Sequence, residues 1–201
     1  MTTLYLVRHG QTDWNIEGRW QGHVDIPLNA VGRQQAANIA GALAGAGLDA
    51  IYSSDLQRAA ETARALSVVS GLPVCYDPRL REINQGEWQG LLASEVEARY
   101  SELLQRSRQD PLTVAPPGGE TVLAVRDRLV SAVEDICRRH PHERLAVVSH
   151  GFALAVIWVQ YRGYPIQRVW DHIPPNDEYR ILELNHGCDR MTEKKASSED
   201  Q

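Results

Sequence analysis

Cysteine is scarce in this chain, and the three that occur form no motif. Cys75, Cys137 and Cys188 are odd in number and far apart, with no CxxC pair. That argues against a disulfide framework and against a thiolate zinc site, and it fits a reduced, cytoplasmic setting. An excess of positive charge is missing too. The 21 Lys and Arg are outnumbered by 26 Asp and Glu, for a formal net charge of -5. No global basic field exists to gather nucleic acid, so an anionic partner would have to be held by a local cluster of cations. No apolar run approaches membrane-spanning length. The start, Met1-Thr2-Thr3 before a short apolar stretch, lacks a basic region and does not read as a signal peptide. Metal patterns are absent as well: His9, His23, His140, His142, His150, His172 and His186 make no HExxH and accompany no carboxylate pair.

What is present is ordinary globular composition, 43% hydrophobic and 23% charged over 201 residues, enough for one full core. Residues 3–7 read as a short buried strand, stopped by Arg8-His9-Gly10. A polar stretch, 11–28, reads as a long loop, a type that is usually functional or mobile. Asn29 reads as the N-cap of a helix with Ala36, Ile39, Ala40 and Leu43 inward, closed by Gly45 and Gly47. A strand at 50–53 is followed by a helix from Ser54 or Asp55, with Leu56, Ala59, Ala60, Ala63 and Leu66 inward. A third strand is expected at 73–76.

Ser94-Glu95-Val96-Glu97 matches a capping box for a helix carrying Val96, Tyr100, Leu103 and Leu104. After the break at Pro116-Pro117-Gly118-Gly119, Val122, Val125, Leu129, Val133 and Ile136 mark a long amphipathic helix. A strand at 145–148, a helix at 151–161 and a last strand at 180–184 complete the series. Alternating strands and helices predict an α/β three-layer sandwich, with a mostly parallel central sheet and helices on both faces. No linker or repeat divides the chain, so residues 1–185 are expected to form a single domain. The polar tail 186–201, without apolar period, is expected to be disordered.

Three strand-to-helix junctions share an oddity. They read Arg8-His9-Gly10, Ser53-Ser54-Asp55-Leu56-Gln57-Arg58 and Ser149-His150-Gly151. Ligands of open α/β sheets bind beyond the carboxyl ends of the strands, so each junction delivers an Arg or His to one edge. Cations near helix N-termini are disfavoured by roughly 0.3–1 kcal/mol each. Two Arg and two His there make sense if a strong anion sits among them, helped by helix N-terminal amides. Taken singly, Arg58 reads as a helix-face Arg and His150 as turn chemistry; it is their common position that points to a site.

A neutral imidazole is a good nucleophile toward phosphorus, and two guanidiniums can fork onto phosphate oxygens. Such a site needs no metal and no cofactor. It does need an acid to protonate the leaving alkoxide. Glu82, in the run Leu80-Arg81-Glu82-Ile83-Asn84-Gln85-Gly86-Glu87-Trp88-Gln89-Gly90, is the first candidate; a surface Glu paired with Arg81 is its bland alternative, and Glu87 its rival. If Glu82 is the acid, activity should fall at high pH as it loses its proton.

These residues resemble the histidine phosphatase superfamily, also called phosphoglycerate mutase-like. The resemblance runs from Arg8-His9-Gly10 with Thr12, Trp14-Asn15, Arg19, Gln21-Gly22, Asp25, Pro27-Leu28, Gly32 and Gln35-Ala36, through Ser53-Ser54-Asp55-Leu56 with Arg58-Ala59. It continues through Leu80-Arg81-Glu82 with Gly86 and Trp88, then Pro117-Gly118-Gly119-Glu120 and Val148-Ser149-His150-Gly151. It implies that His9 is the phosphorylated nucleophile, that Arg8, Arg58 and His150 hold the phosphoryl oxygens, and that Glu82 is proton donor and then base. Asn15, Gln21, Gly22 and Gly151 enter the substrate and phosphate pocket by the resemblance alone.

The implied activity is a phosphomonoesterase acting on a small phosphorylated metabolite, with neither nucleic acid nor membrane as partner and a homodimer left open. The alternative is a cofactor-dependent phosphoglycerate mutase-type transfer. The Gly86-Glu87-Trp88-Gln89-Gly90 run and the chain length favour the phosphatase as the resemblance has it. A binding module without turnover is disfavoured because every catalytic position is filled. Trp158 is expected in the core. Trp14, Trp20 and Trp88 stand beside motif residues, as pocket or as scaffold. The resemblance sets the helix bearing Arg99, Arg106 and Arg108 near the pocket mouth, though a solvated basic face explains those arginines better.

Overall fold

A computed structural model describes residues 1–185. The expectation for the tail, 186–201, lies outside the described residues. The strands are β1 (Thr2–Arg8), β2 (Ala50–Ser53), β3 (Val74–Tyr76), β4 (Arg144–Ser149) and β5 (Tyr179–Leu184). The helices are α1 (Asp13–Glu17), α2 (Ala30–Leu43), α3 (Gln57–Ser70), α4 (Ala93–Gln109), α5 (Val122–Arg139) and α6 (Gly151–Arg162).

The sheet runs β3-β2-β4-β1-β5. β1, β2, β3 and β4 are parallel, and β5 lies antiparallel against β1 at the edge. Side chains alternate across a strand, and both faces here are apolar. Leu4 and Leu6 of β1 join Leu145 and Val147 of β4 in one cluster with α5 and α6. Val7 joins Ile51, Ala146 and Val148 in a second cluster with α2 and α3. This is the expected three-layer sandwich. A third, smaller cluster of Trp88, Val96 and Leu104 lies under α4, with Trp20, Leu91 and Tyr100 packed on it.

Local chemistry shifts several boundaries. The loop 11–28 contains α1, because the Thr12 hydroxyl accepts the Asn15 N–H while the Asn15 carboxamide accepts the Thr12 N–H. α3 starts at Gln57, after Ser54 spends its hydroxyl on the Leu56 N–H at 3.3 Å. α4 starts at Ala93, so Ser94 is not its cap. Glu95 instead accepts the Leu92 N–H at 2.8 Å, leaving Glu97 out of any box. α2 closes at Leu43 through Ala44, with Gly47 at φ 63° in the following turn. Trp158 is only partly buried: the Arg162 and Arg180 guanidiniums stack on its ring at 5.4 and 5.3 Å.

Candidate active site

Strand register brings the three junctions level. Arg8 pairs with Ser149 across β1 and β4, and Ser53 with Val148 across β2 and β4. The next residues therefore leave the sheet at one edge. Main chain anchors His9 there, its N–H donating to the Ser149 carbonyl at 3.0 Å. Asn176 donates to the His9 carbonyl at 2.9 Å. Gly10 must be glycine, since a Cβ there would stand 2.2 Å from the Gly32 carbonyl oxygen at the start of α2.

The His9 ring is 3% exposed. Its Nδ1 lies 2.6 Å from the Gly10 carbonyl oxygen. A carbonyl only accepts, so Nδ1 carries the proton and Nε2 of the neutral ring carries the lone pair. Burial, then the Arg58 and Arg8 charges, hold the His9 pKa well below its ordinary value. His150 packs edge-on at 5.1 Å between centroids, and burial followed by Arg58 depresses its pKa likewise. The His150 Nε2 is 2.8 Å from the Ser54 hydroxyl, and its Nδ1 is buried without a protein partner among the described residues.

Arg58 sits in the first turn of α3, 0% exposed. It donates to the Gly22 carbonyl at 2.7 Å and to the Val24 carbonyl at 2.8 Å. Burial pushes its pKa down to about 10, partly offset by the nearby Glu82 charge. Arg8 donates to the Pro174 carbonyl at 2.5 Å, and burial lowers its pKa against the same Glu82 charge. Both guanidiniums keep a buried Nε without a protein partner among the described residues. Desolvating a guanidinium costs several kcal/mol unless charge or hydrogen bonds offset it. Two such groups, with unpaired buried nitrogens, are built to receive an oxyanion.

Glu82 faces this group and lines the same cleft. Its carboxylate accepts the Ile83 N–H at 2.9 Å, the Phe152 N–H at 3.1 Å and the Ala153 N–H at 3.0 Å, capping α6 from 70 residues away. The bland alternative fails, because Arg81 forks onto Asp55 at 2.7 and 2.5 Å. The rival Glu87 is exposed, its carboxylate accepting the Tyr100 hydroxyl at 2.9 Å. Arg128, which the sequence reading passed over, holds the Glu82 backbone. It donates to the carbonyls of Arg79, Arg81 and Glu82 at 2.7–2.8 Å and forks onto Glu120 at 2.8 Å. His23 adds a contact to the same Glu82 carbonyl at 2.7 Å. Thr62 was missed as well; it accepts the Gly10 N–H at 3.1 Å. Nothing local in sequence marks Arg128 or Thr62, because their partners are brought in by the fold.

Of the residues inferred from resemblance, Asn15, Gln21 and Gly22 line the cleft. Gly151 does something else: a Cβ there would come 3.0 Å from the Arg8 guanidinium carbon, so the glycine makes room for Arg8. Among the described residues, no group of three or more His, Cys, Asp or Glu could hold a metal ion, and no helix is long and apolar enough to cross a membrane.

Fold and site together define a protein able to grip an oxyanion at the carboxyl edge of a parallel sheet and present a neutral imidazole to it. Residues 4–196 match the family model of the histidine phosphatase superfamily, branch 1, and the chain belongs to that family. It is 33% identical to phosphoserine phosphatase 1 of Hydrogenobacter thermophilus over 92% of this chain and 87% of that protein. It is 37% identical to a probable phosphoglycerate mutase GpmB of Escherichia fergusonii, over 82% and 77% respectively. Among solved structures, YhfR of Bacillus stearothermophilus superposes with a TM-score of 0.85 at 36% identity, covering 93% of each chain.

Proposed function

We propose that this chain is a metal-independent phosphomonoesterase that hydrolyses a small phosphorylated metabolite through a phosphohistidine on His9. The observation that carries this reading is the tautomer: the Gly10 carbonyl accepts a hydrogen bond from Nδ1–H, which keeps the proton there and leaves the Nε2 lone pair beside two buried guanidiniums. Nε2 attacks phosphorus while the ester P–O bond breaks. Arg8, Arg58 and His150 hold the phosphoryl oxygens, where positioning and charge stabilisation supply most of the catalysis. Glu82 gives its proton to the leaving alkoxide, and its carboxylate then takes a proton from a water. That water's oxygen attacks phosphorus, the P–N bond breaks, and inorganic phosphate leaves with His9 neutral and Glu82 reprotonated. Residues 1–185 act as one catalytic domain in this reading, in a cytoplasmic setting.

The resemblance to phosphoglycerate mutases is a specific reason to keep the transfer reading. A mutase must hold its phosphohistidine until a second hydroxyl arrives. The experiment is a chase with labelled phosphomonoester, quenched in alkali. Wild type should carry an alkali-stable, acid-labile label that disappears into inorganic phosphate. His9→Ala should carry none and lose at least about 10⁴-fold in turnover, as removal of a nucleophile does. Label returning to a monophosphoglycerate would assign a mutase; a His9→Ala variant that still turns over would sink the nucleophile.

A further inference from the structure

The cleft extends well beyond the cations. Its volume is about 950 Å³, near the top of the roughly 300–1,000 Å³ range of pockets that engulf drug-sized ligands. A serine or glycerate leaving group would occupy a small part of it. Aromatic side chains are concentrated here. Of five tryptophans in the chain, Trp14, Trp20, Trp88 and Trp170 line this cleft, as does the single phenylalanine, Phe152. Phe152 and Trp170 stand 5.6 Å apart with rings tilted at 55°, and Trp20 meets Trp88 edge-on at 5.6 Å. Leu104 of α4 completes the apolar wall.

Charge in the cleft points the same way. Arg8 and Arg58 belong to the oxyanion end. Arg19 is already engaged by Glu17 at 2.5 Å, by the Gly90 carbonyl at 2.8 Å and by Glu95 at 3.7 Å. Glu120 lines the wall as an anion tied to Arg128. The remaining lining cation, Arg108, is exposed. Beyond the phosphate end, the wall thus offers mainly rings, with exposed Arg108 as the one lining cation, among the described residues, that no ion pair or oxyanion role engages.

Resting on the phosphatase reading above, we infer that the natural substrate is the phosphate monoester of an uncharged alcohol bearing an aromatic ring, stacked among Trp14, Phe152 and Trp170. Carboxylate-bearing esters such as O-phosphoserine fit the oxyanion end and leave the wall unused. Ring burial acts on binding and should appear in KM more than in kcat.

The test uses primary alkyl esters, so that leaving-group reactivity stays nearly constant. kcat/KM is measured for 3-phenylpropyl phosphate, propyl phosphate and O-phosphoserine on the full chain, with His9→Ala as blank. The phenylpropyl ester should exceed the propyl ester by tenfold or more. Trp170→Ala removes a ring that is 44% exposed, so its loss should leave the fold intact. It should pull the phenylpropyl-to-propyl ratio toward unity. Equal rates for the phenylpropyl and propyl esters, with His9 still phosphorylated, would overturn this inference and leave the phosphatase standing. O-phosphoserine matching the phenylpropyl ester, with an advantage lost in Arg108→Met, would assign the mouth to carboxylates and overturn it too. Failure of wild type to hydrolyse any of the three would remove the phosphatase reading beneath it.

Discussion

The two ends of the cleft are built on different principles. At the oxyanion end, every group hangs from the central sheet or from the first turn of a helix beside it. Arg8 ends β1 and His9 follows it, His150 follows β4, and Arg58 lies in the first turn of α3. Both His rings and Arg58 are at most 3% exposed. The far end is a wall of apolar side chains from α1, α4, α6 and the 3-10 turn Ile166–His172. It contains Trp170, 44% exposed. Polar order costs desolvation and is repaid only if every partner is in place. Apolar walls tolerate exchange of volume and shape far more easily. One end is therefore specified atom by atom and the other only in bulk.

The sharpest way to break this contrast is to remove a buried cation. Arg58→Met should lower kcat/KM by about 10²–10³-fold, the effect of deleting one charge-stabilising donor. Its fold should persist in urea melts, because relief of a desolvated charge offsets the donors lost to the Gly22 and Val24 carbonyls. Activity within tenfold of wild type would show that the oxyanion end is no more exacting than the wall.

A smaller effect should follow from loosening Glu82, the proposed acid. Arg128→Met leaves Glu82 in the chain but removes the donors that hold its backbone. A misplacement of about 1 Å can cost on the order of 10²-fold. That loss in kcat/KM should appear with alkyl phosphates and shrink for p-nitrophenyl phosphate, whose phenolate leaves without a proton. An equal loss on both would make Arg128 merely structural.

The smallest effect concerns stability. His9, His150 and His23 all have pKa values lowered in the folded chain, with burial the leading cause in each. The unfolded chain then binds more protons, so this stability is full above the ordinary His pKa of about 6.5 and is lost as pH falls below it. Each group adds a slope of at most about 1.4 kcal/mol per pH unit. Urea midpoints should drop between pH 7 and pH 5, and the drop should be smaller in His150→Asn. A flat profile would mean that these rings accept protons when folded.

Legibility in the sequence follows the same division. Short apolar runs, and helical stripes such as Val122 to Ile136, put all five strands and the long helices within a few residues of where they lie. Level strand ends then gathered Arg8, His9, Arg58 and His150 by topology alone. What stayed hidden depends on contacts between distant segments. Glu82 as the cap of α6, Arg128 as its brace and Gly151 as a space for Arg8 are each pairings across 46 or more positions. The start of α4 was misread because Ser94-Glu95-Val96-Glu97 contains a plausible box, whereas Glu95 serves the Leu92 N–H one turn earlier. The wall was illegible for another reason: Trp14, Trp20 and Trp88 read as scaffold or pocket alike until the void between them is seen.

The glycine contact behind His9 has a consequence for how such a molecule can change over generations. Gly10 and Gly32 bring two backbones within touching distance, and the His9 ring leans on the Gly10 carbonyl rather than on a neighbouring side chain. Mutation exchanges side chains and leaves carbonyls where they are. A lineage can therefore rewrite Trp170, Leu104 or Arg108 of the cleft lining while the imidazole stays seated, keeping one end of the cleft constant as the other varies.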